Sequence, residues 1–251
     1  MKKITLLFLS LVLSLNADSI YADFSVEATK NANLALTSGG IIDILYADTT
    51  EIVKKGDKLA VLKNSDLKAA LKVAKANVKN AEVSLKFAKK EYERQEKIKN
   101  LINQEKFDRY TLAYESAKVA LEQAKANALY KKTLLDKTTL YAPFDGIILS
   151  KNAEVGDAVS GVSLKTIFKI QSLHKRKLIL KFDQKYWKDV KVGDIYKYKI
   201  DGDTKEYVGS ISKIYPYANA SNRKIEAEVK AKDFIVGLFG DGYIISNSIK
   251  K

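Results

Sequence analysis

The chain has no cysteine among its 251 residues. That absence removes disulfides, thiol nucleophiles and thiolate metal sites. It also removes the lipid-modified N-terminal cysteine used by bacterial lipoproteins. The one methionine is Met1, so a copper(I) or silver relay through thioethers has no ligand in the body of the chain. The one histidine, His174, sits among Lys175, Arg176 and Lys177, and no serine or carboxylate is tied to it by sequence. It reads as a surface or strand-edge residue. Asp201 and Asp203 flank a glycine and read as turn chemistry rather than acid–base machinery. No loop has calcium-ligand spacing. No catalytic, cofactor-binding or metal-ligating residue is assigned, and the chain is not read as an enzyme.

Long apolar runs are equally scarce. The exception is Ile4 to Leu15, behind Met1-Lys2-Lys3, which has the charged start and short apolar middle of a secretory signal. It is too short to span a bilayer comfortably. Residues 1–22 are therefore expected to be a signal peptide cleaved after Ala17 or Ala22, with a retained N-terminal anchor as the alternative. Acids are outnumbered: 44 Lys and Arg against 30 Asp and Glu give a net charge of +14. Many lysines, among them Lys68, Lys72, Lys75, Lys79, Lys86 and Lys89, fall within one helical stretch. They read as its solvated face, and export argues against nucleic acid. An acidic partner protein or an anionic envelope surface fits the charge better.

Two β motifs stand out. Gly40-Ile41-Ile42 leads to Lys55-Gly56-Asp57, and Gly146-Ile147-Ile148 leads to Val155-Gly156-Asp157. In each, Gly-Asp after a strand signals a turn, because glycine tolerates positive φ and aspartate bonds nearby backbone. The second motif opens with Tyr141-Ala142-Pro143-Phe144-Asp145-Gly146, where Pro143 is expected to close the preceding helix. Two such halves can pack face to face as a small sandwich. Gly40, Gly56, Pro143, Gly146, Gly156 and Gly193 are expected at structural turns.

The halves are separated by a stretch, 64–136, that contains neither glycine nor proline. Apolar or small residues recur at Leu67, Leu71, Ala74, Val78, Ala81, Leu85, Ala88 and Tyr92, then at Phe107, Tyr110, Tyr114, Ala117, Leu121, Ala124 and Ala128. Steps of four and three alternate, as in a heptad seam. The polar break near Asn100–Asn103 is the one candidate turn, so the two helices run antiparallel, each about 45–50 Å long. After the second half-motif come short strands around Lys177–Phe182, Ile195–Ile200, Tyr207–Ile214 and Lys224–Lys230, with turn signals such as Val192-Gly193-Asp194. These suggest a small antiparallel barrel. A helical turn near Asp183–Val190 is expected to plug one end, with Trp187 in the core.

The order of parts resembles the periplasmic adaptor, or membrane fusion protein (HlyD/AcrA-like), family. The residues that carry the likeness are Tyr141 to Ile148 with Val155-Gly156-Asp157-Ala158-Val159, the stretch Val190-Lys191-Val192-Gly193-Asp194, and Gly209 to Pro216 followed by Ser221-Asn222-Arg223. The resemblance implies an elongated, mixed α and β, multidomain chain: a lipoyl-like β-sandwich split by an antiparallel coiled-coil hairpin, then a small β-barrel. The expected boundaries are 23–63 for the first sandwich half with an N-terminal strand, 64–137 for the hairpin, 138–167 for the second half, 168–245 for the barrel and 246–251 for a polar tail.

For function, the resemblance implies an adaptor in the periplasm of a tripartite efflux pump. It would link an inner-membrane transporter, RND-type favoured, to a TolC-like outer-membrane channel, as a homo-oligomer that is often a hexamer. Membrane association would come only through partners or a retained N-terminal segment. Alternatives are the adaptor of an ABC-type exporter or type I secretion system, and a periplasmic coiled-coil scaffold or binding protein. A lipoyl or biotin carrier is disfavoured, since the coiled coil occupies the hairpin where its lysine would stand. At the hairpin tip the family carries an arginine, a leucine and a serine that meet the channel. Arg94 and Ile98 fit the first two places, with isoleucine where the family has leucine, and Asn103 stands for the serine at shorter spacing, with Leu101 and Ile102 beside it. In the first half, Asp48-Thr49-Thr50 replaces the usual glycine turn.

Overall fold

The computed structural model describes residues 19–246. The mixed α and β chain forms two compact units, one of residues up to Asn31 with those from Ser172 onward, the other of Ala32–Gln171. The expected leader thus lies outside the described residues up to position 18, and the polar tail lies outside them beyond Ser246.

The first unit is a closed six-stranded antiparallel barrel. Its strands are β1 (Ser19–Ala28), β10 (Lys175–Asp183), β11 (Ile195–Ile200), β12 (Tyr207–Ala218), β13 (Lys224–Lys232) and β14 (Phe239–Ile245), in the order β1-β10-β13-β12-β11-β14. Strict alternation drives it: in β1, Ile20, Ala22, Phe24 and Val26 are buried while their neighbours face outward. Inside, the Phe24 ring meets Tyr196 and Tyr198 edge-on, and those two tyrosines stack with centroids 5.3 Å apart. Tyr196 resolves its buried hydroxyl by donating to the Ala22 carbonyl at 2.7 Å, and burial pushes its phenol far above the ordinary range. This corrects the expected boundaries. The N-terminal strand belongs to the barrel and not to the first sandwich half, because β10 and β14 pair along its two edges. Trp187, expected in the core, is 64% exposed beside a 3-10 turn, Gln184–Tyr186.

The second unit holds two four-stranded sheets. One runs β2 (Asn31–Leu34), β9 (Phe168–Ser172), β7 (Gly146–Lys151), β4 (Ile52–Val53). The other runs β6 (Thr139–Tyr141), β5 (Lys58–Leu62), β3 (Gly40–Leu45), β8 (Ala158–Val159). The halves interlock, with β4 pairing β7 and β3 pairing β8. Ile42, Leu59, Leu62, Ile148, Phe168 and Ile170 fill the space between the sheets. The second half extends past its expected end at 167, since Phe168 and Ile170 of β9 are core residues.

Between the halves rise α1 (Ser65–Glu96) and α2 (Gln104–Asp136). Only Ala74 and Leu121 are fully buried in them, as a narrow seam of small residues dictates. At the base, buried Asn64 donates its Nδ2 to Thr138 Oγ1 at 2.9 Å, and that hydroxyl donates onward to the Leu135 carbonyl at 2.7 Å. The helix α2 therefore ends at Asp136 and passes into β6. Pro143 follows that strand and does not terminate the helix.

Candidate functional site

The hairpin tip is built from short-range bonds. Ile98 donates its N–H to Gln95 O, and a 3-10 turn, Lys99–Leu101, closes with Leu101 N–H to Ile98 O at 2.8 Å. Asn103, in extended backbone, then caps α2, its Oδ1 accepting from Glu105 N–H at 2.9 Å. The expected tip residues are thus gathered within one reversal of the chain. Leu101 is 85% exposed, Ile98 is exposed, Ile102 is half-buried, and the Arg94 guanidinium pairs with Glu91 at 2.9 Å. An apolar side chain so fully in water, on so small an end, offers area to a partner.

Below the tip lies an aromatic clamp that heptad counting did not single out. The Tyr92 ring stacks on Tyr114 at 5.2 Å and leans on Phe107 at 5.7 Å, joining the two helices. Its hydroxyl donates to Glu96 at 3.0 Å, and that bond raises the phenol pKa. The available signal was three aromatic seam positions clustered on both sides of the turn.

The predicted turns fall into two kinds. Gly56, Gly156 and Gly193 all take positive φ, at 93°, 96° and 98°, and the following Asp57, Asp157 and Asp194 each accept from a backbone N–H three residues earlier. Each of the first two turns is also bracketed by the other half of the sandwich. Gly56 N–H and Asp57 O bond Ala142, whereas Gly156 N–H and Asp157 O bond Ile42, all at 2.9 Å. Asp145 adds a bond from Lys55 N–H at 2.7 Å. Ala142-Pro143-Phe144-Asp145 is therefore the segment that staples the second half onto the first turn. The other kind is close approach: Gly146 opens β7 where a Cβ would strike the Gln171 carbonyl, and Gly40 lies in β3 against Leu62 with extended backbone. Those two glycines serve packing, not a turn.

Thr50 is a β-branched residue held at φ 71° where a glycine would be relaxed. Its neighbour Asp48 accepts from Thr49 N–H at 2.7 Å, the main cause of its lowered pKa, with Lys151 adding to it. Thr50→Gly is expected to raise unfolding stability by about 1 kcal/mol, strain relief outweighing the added backbone freedom. Urea unfolding checks this, and an unchanged or lower midpoint would refute it.

On the barrel, Gln184, Lys185, Trp187, Pro216, Tyr217 and Ile225 line an open groove of about 580 Å³. Elsewhere His174 Nδ1 lies 2.9 Å from Asp233, a carboxylate brought to it from 59 residues away. No group of three or more His, Cys, Asp or Glu side chains suited to a metal is found among the described residues, and no described helix is long and apolar enough to cross a membrane.

A family model for the CzcB-like barrel-sandwich hybrid domain matches residues 30–171. The cobalt-zinc-cadmium resistance protein CzcB of Cupriavidus metallidurans is 25% identical over 138 residues, 52% of this chain and 26% of that protein. The chain thus matches about a quarter of the length of that curated relative. Among solved structures, a MacA–MexA chimera carrying the Pseudomonas aeruginosa MexA α-hairpin superposes with a TM-score of 0.70 at 22% identity, covering 92% of this chain and 83% of that one. The membrane fusion protein Spr0693 of Streptococcus pneumoniae R6 gives 0.71 at 16% identity, covering 90% and 98%. At these identities the likeness is one of fold.

Proposed function

Because the chain belongs to the family of CzcB-like barrel-sandwich hybrid domains, we propose that it is a periplasmic adaptor subunit of a tripartite efflux assembly. It links an inner-membrane transporter of RND type to a TolC-like outer-membrane channel. The observation that carries this reading is the hairpin that interrupts the sandwich and ends in exposed Leu101 and Ile98. The tip holds the channel; the barrel, with its aromatic groove at Trp187 and Tyr217, holds the transporter. The relative's name concerns cobalt, zinc and cadmium. With no cysteine and one histidine, this chain is a structural part of the conduit, and choice of cargo falls to the transporter.

The test is site-specific photo-crosslinking from positions 94, 98 and 103 in intact cells, with identification of the captured proteins. Capture of an outer-membrane channel supports the adaptor role and its polarity. Self-crosslinks alone would overturn it in favour of a scaffold.

Export also bears on where the leader is cut. Cleavage after Ala22 would delete Ile20 and Ala22 from the barrel core and remove the acceptor of the Tyr196 hydroxyl. Cleavage after Ala17 leaves β1 whole. Intact-mass analysis of the exported protein is expected to give Asp18 as first residue, and a start at Asp23 would contradict the role of β1.

A further inference from the structure

Both helices carry a second heptad line, two residues on from each seam position and therefore rotated about 155° from the seam on a 3.5-residue repeat. On α1 it comprises Val73, Ala76, Asn80, Val83 and Phe87; on α2, Ser116, Val119, Gln123, Ala126 and Tyr130. Every one of these is exposed, Val83, Phe87, Val119 and Tyr130 by 48%, 65%, 65% and 58%. None is charged, in helices otherwise rich in lysine and glutamate. A coiled-coil face in contact with water alone has no reason to keep such a line free of charge over five successive positions.

The heights of the two lines match. Asn64 and Thr138 are level at the base of the hairpin, where they bond, and equal counts along two α-helices climb equal distances. Counting from that pair, Val83 stands level with Val119 and Ala76 with Ala126. Within one residue of the same level, Asn80 meets Gln123, Val73 meets Tyr130, and bulky Phe87 meets small Ser116. Apart from Phe87 and Ser116, apolar or aromatic thus meets apolar and amide meets amide, at heights kept when identical hairpins are related by rotation about an axis parallel to them.

The margins agree. On one side of the α1 line run Lys72, Lys79 and Lys86, and on the corresponding side of the α2 line run Glu115 and Glu122. In an antiparallel pair these margins face each other, bringing Lys79 to Glu122 and Lys86 to Glu115. The opposite margins, Asn77 and Ser84 on α1 with Ala120 and Asn127 on α2, are uncharged and small.

We propose that this line is the surface by which copies of the chain stand side by side, α1 of one hairpin against α2 of the next at the same height. This deepens the adaptor reading by naming the surface through which its copies meet, and rests on that reading for the idea that they do. The seam and the second line lie less than 180° apart on the uncharged side, so the helical wall curves toward that side. Asn77, Ser84, Ala120 and Asn127 then line the inner surface, and the lysines face outward. On α1 the line stops at Phe87, above which Lys90 and Arg94 occupy it; on α2 it runs one position further, to exposed Leu112, before Arg109 occupies it, leaving the tip free for a different partner.

The chain's lack of cysteine makes the test clean. Val83→Cys with Val119→Cys, expressed in intact cells and oxidised with a copper catalyst, is expected to give a ladder of disulfide-linked multimers. The two thiols face opposite ways out of one hairpin and cannot bridge within it. Val83→Cys with Ala126→Cys, one heptad out of level, is expected to give at least tenfold less. Lys79→Glu with Lys86→Glu should reduce the level ladder at least tenfold, and adding Glu115→Lys with Glu122→Lys should restore it. Equal ladders from the level and shifted pairs, or a charge reversal without effect, would overturn the proposal. So would a chain that is multimeric by native mass spectrometry yet gives no ladder; tip photo-crosslinks to a channel would then leave the adaptor reading standing without this surface.

Discussion

Gly240→Ala is expected to destabilise the barrel by about 3 kcal/mol or more, at the upper end of overpacking effects. Gly240 lies in β14 between Phe24 of β1 and Ile200 of β11. A methyl group there would run into the Lys199 carbonyl and the Phe24 ring. The ring is wedged against Tyr196 and Tyr198, and the carbonyl belongs to the strand that pairs β14, so neither yields without loosening the closure. Urea unfolding followed by circular dichroism measures the effect. A loss below 1 kcal/mol would mean that β14 can move outward and that closure is not tightly set at this point.

Leu101→Glu is expected to leave stability within about 0.5 kcal/mol of the parent, because the side chain is 85% exposed. Its effect falls on binding. An apolar anchor at the centre of a small contact is worth about 2 kcal/mol or more, and a buried charge in its place forfeits that, for a loss of roughly thirtyfold in affinity. Channel capture from position 98 should fall accordingly, and cells should lose efflux-dependent tolerance, while the melting temperature is unchanged. Undiminished capture would remove Leu101 from the contact and shift attention to Arg94 and Asn103.

The hairpin was the most legible part of the molecule, because its information is local. Heptad spacing names the seam, and the absence of glycine and proline leaves one place for the reversal. The Gly-Asp turns were legible for the same reason: a positive φ and an aspartate that folds back on the chain involve four residues. Gly40 and Gly146 looked like further turns, and here local reading misled, whereas Pro143 does lie in a bend, 143–145, though it ends no helix. What constrains Gly146 is a carbonyl from β9, and what constrains Gly40 is Leu62 of β5. Neither neighbour is visible from the glycine's own surroundings in the chain.

Pattern and composition by themselves determined the kind of each element: two long helices with one seam, short strands that alternate, and turns at Gly-Asp, in a chain with no thiol and one imidazole. Only the tertiary structure decided partners. It gave β1 to the barrel across about 150 residues of intervening chain, brought Asp145 to Lys55 and Asp233 to His174, and set the heights that make the outer lines of α1 and α2 correspond. The physical reason is that periodicity records how many faces of an element are buried. Which distant edge or face covers them depends on backbone bonds left open elsewhere, and that is settled only when the whole chain has folded.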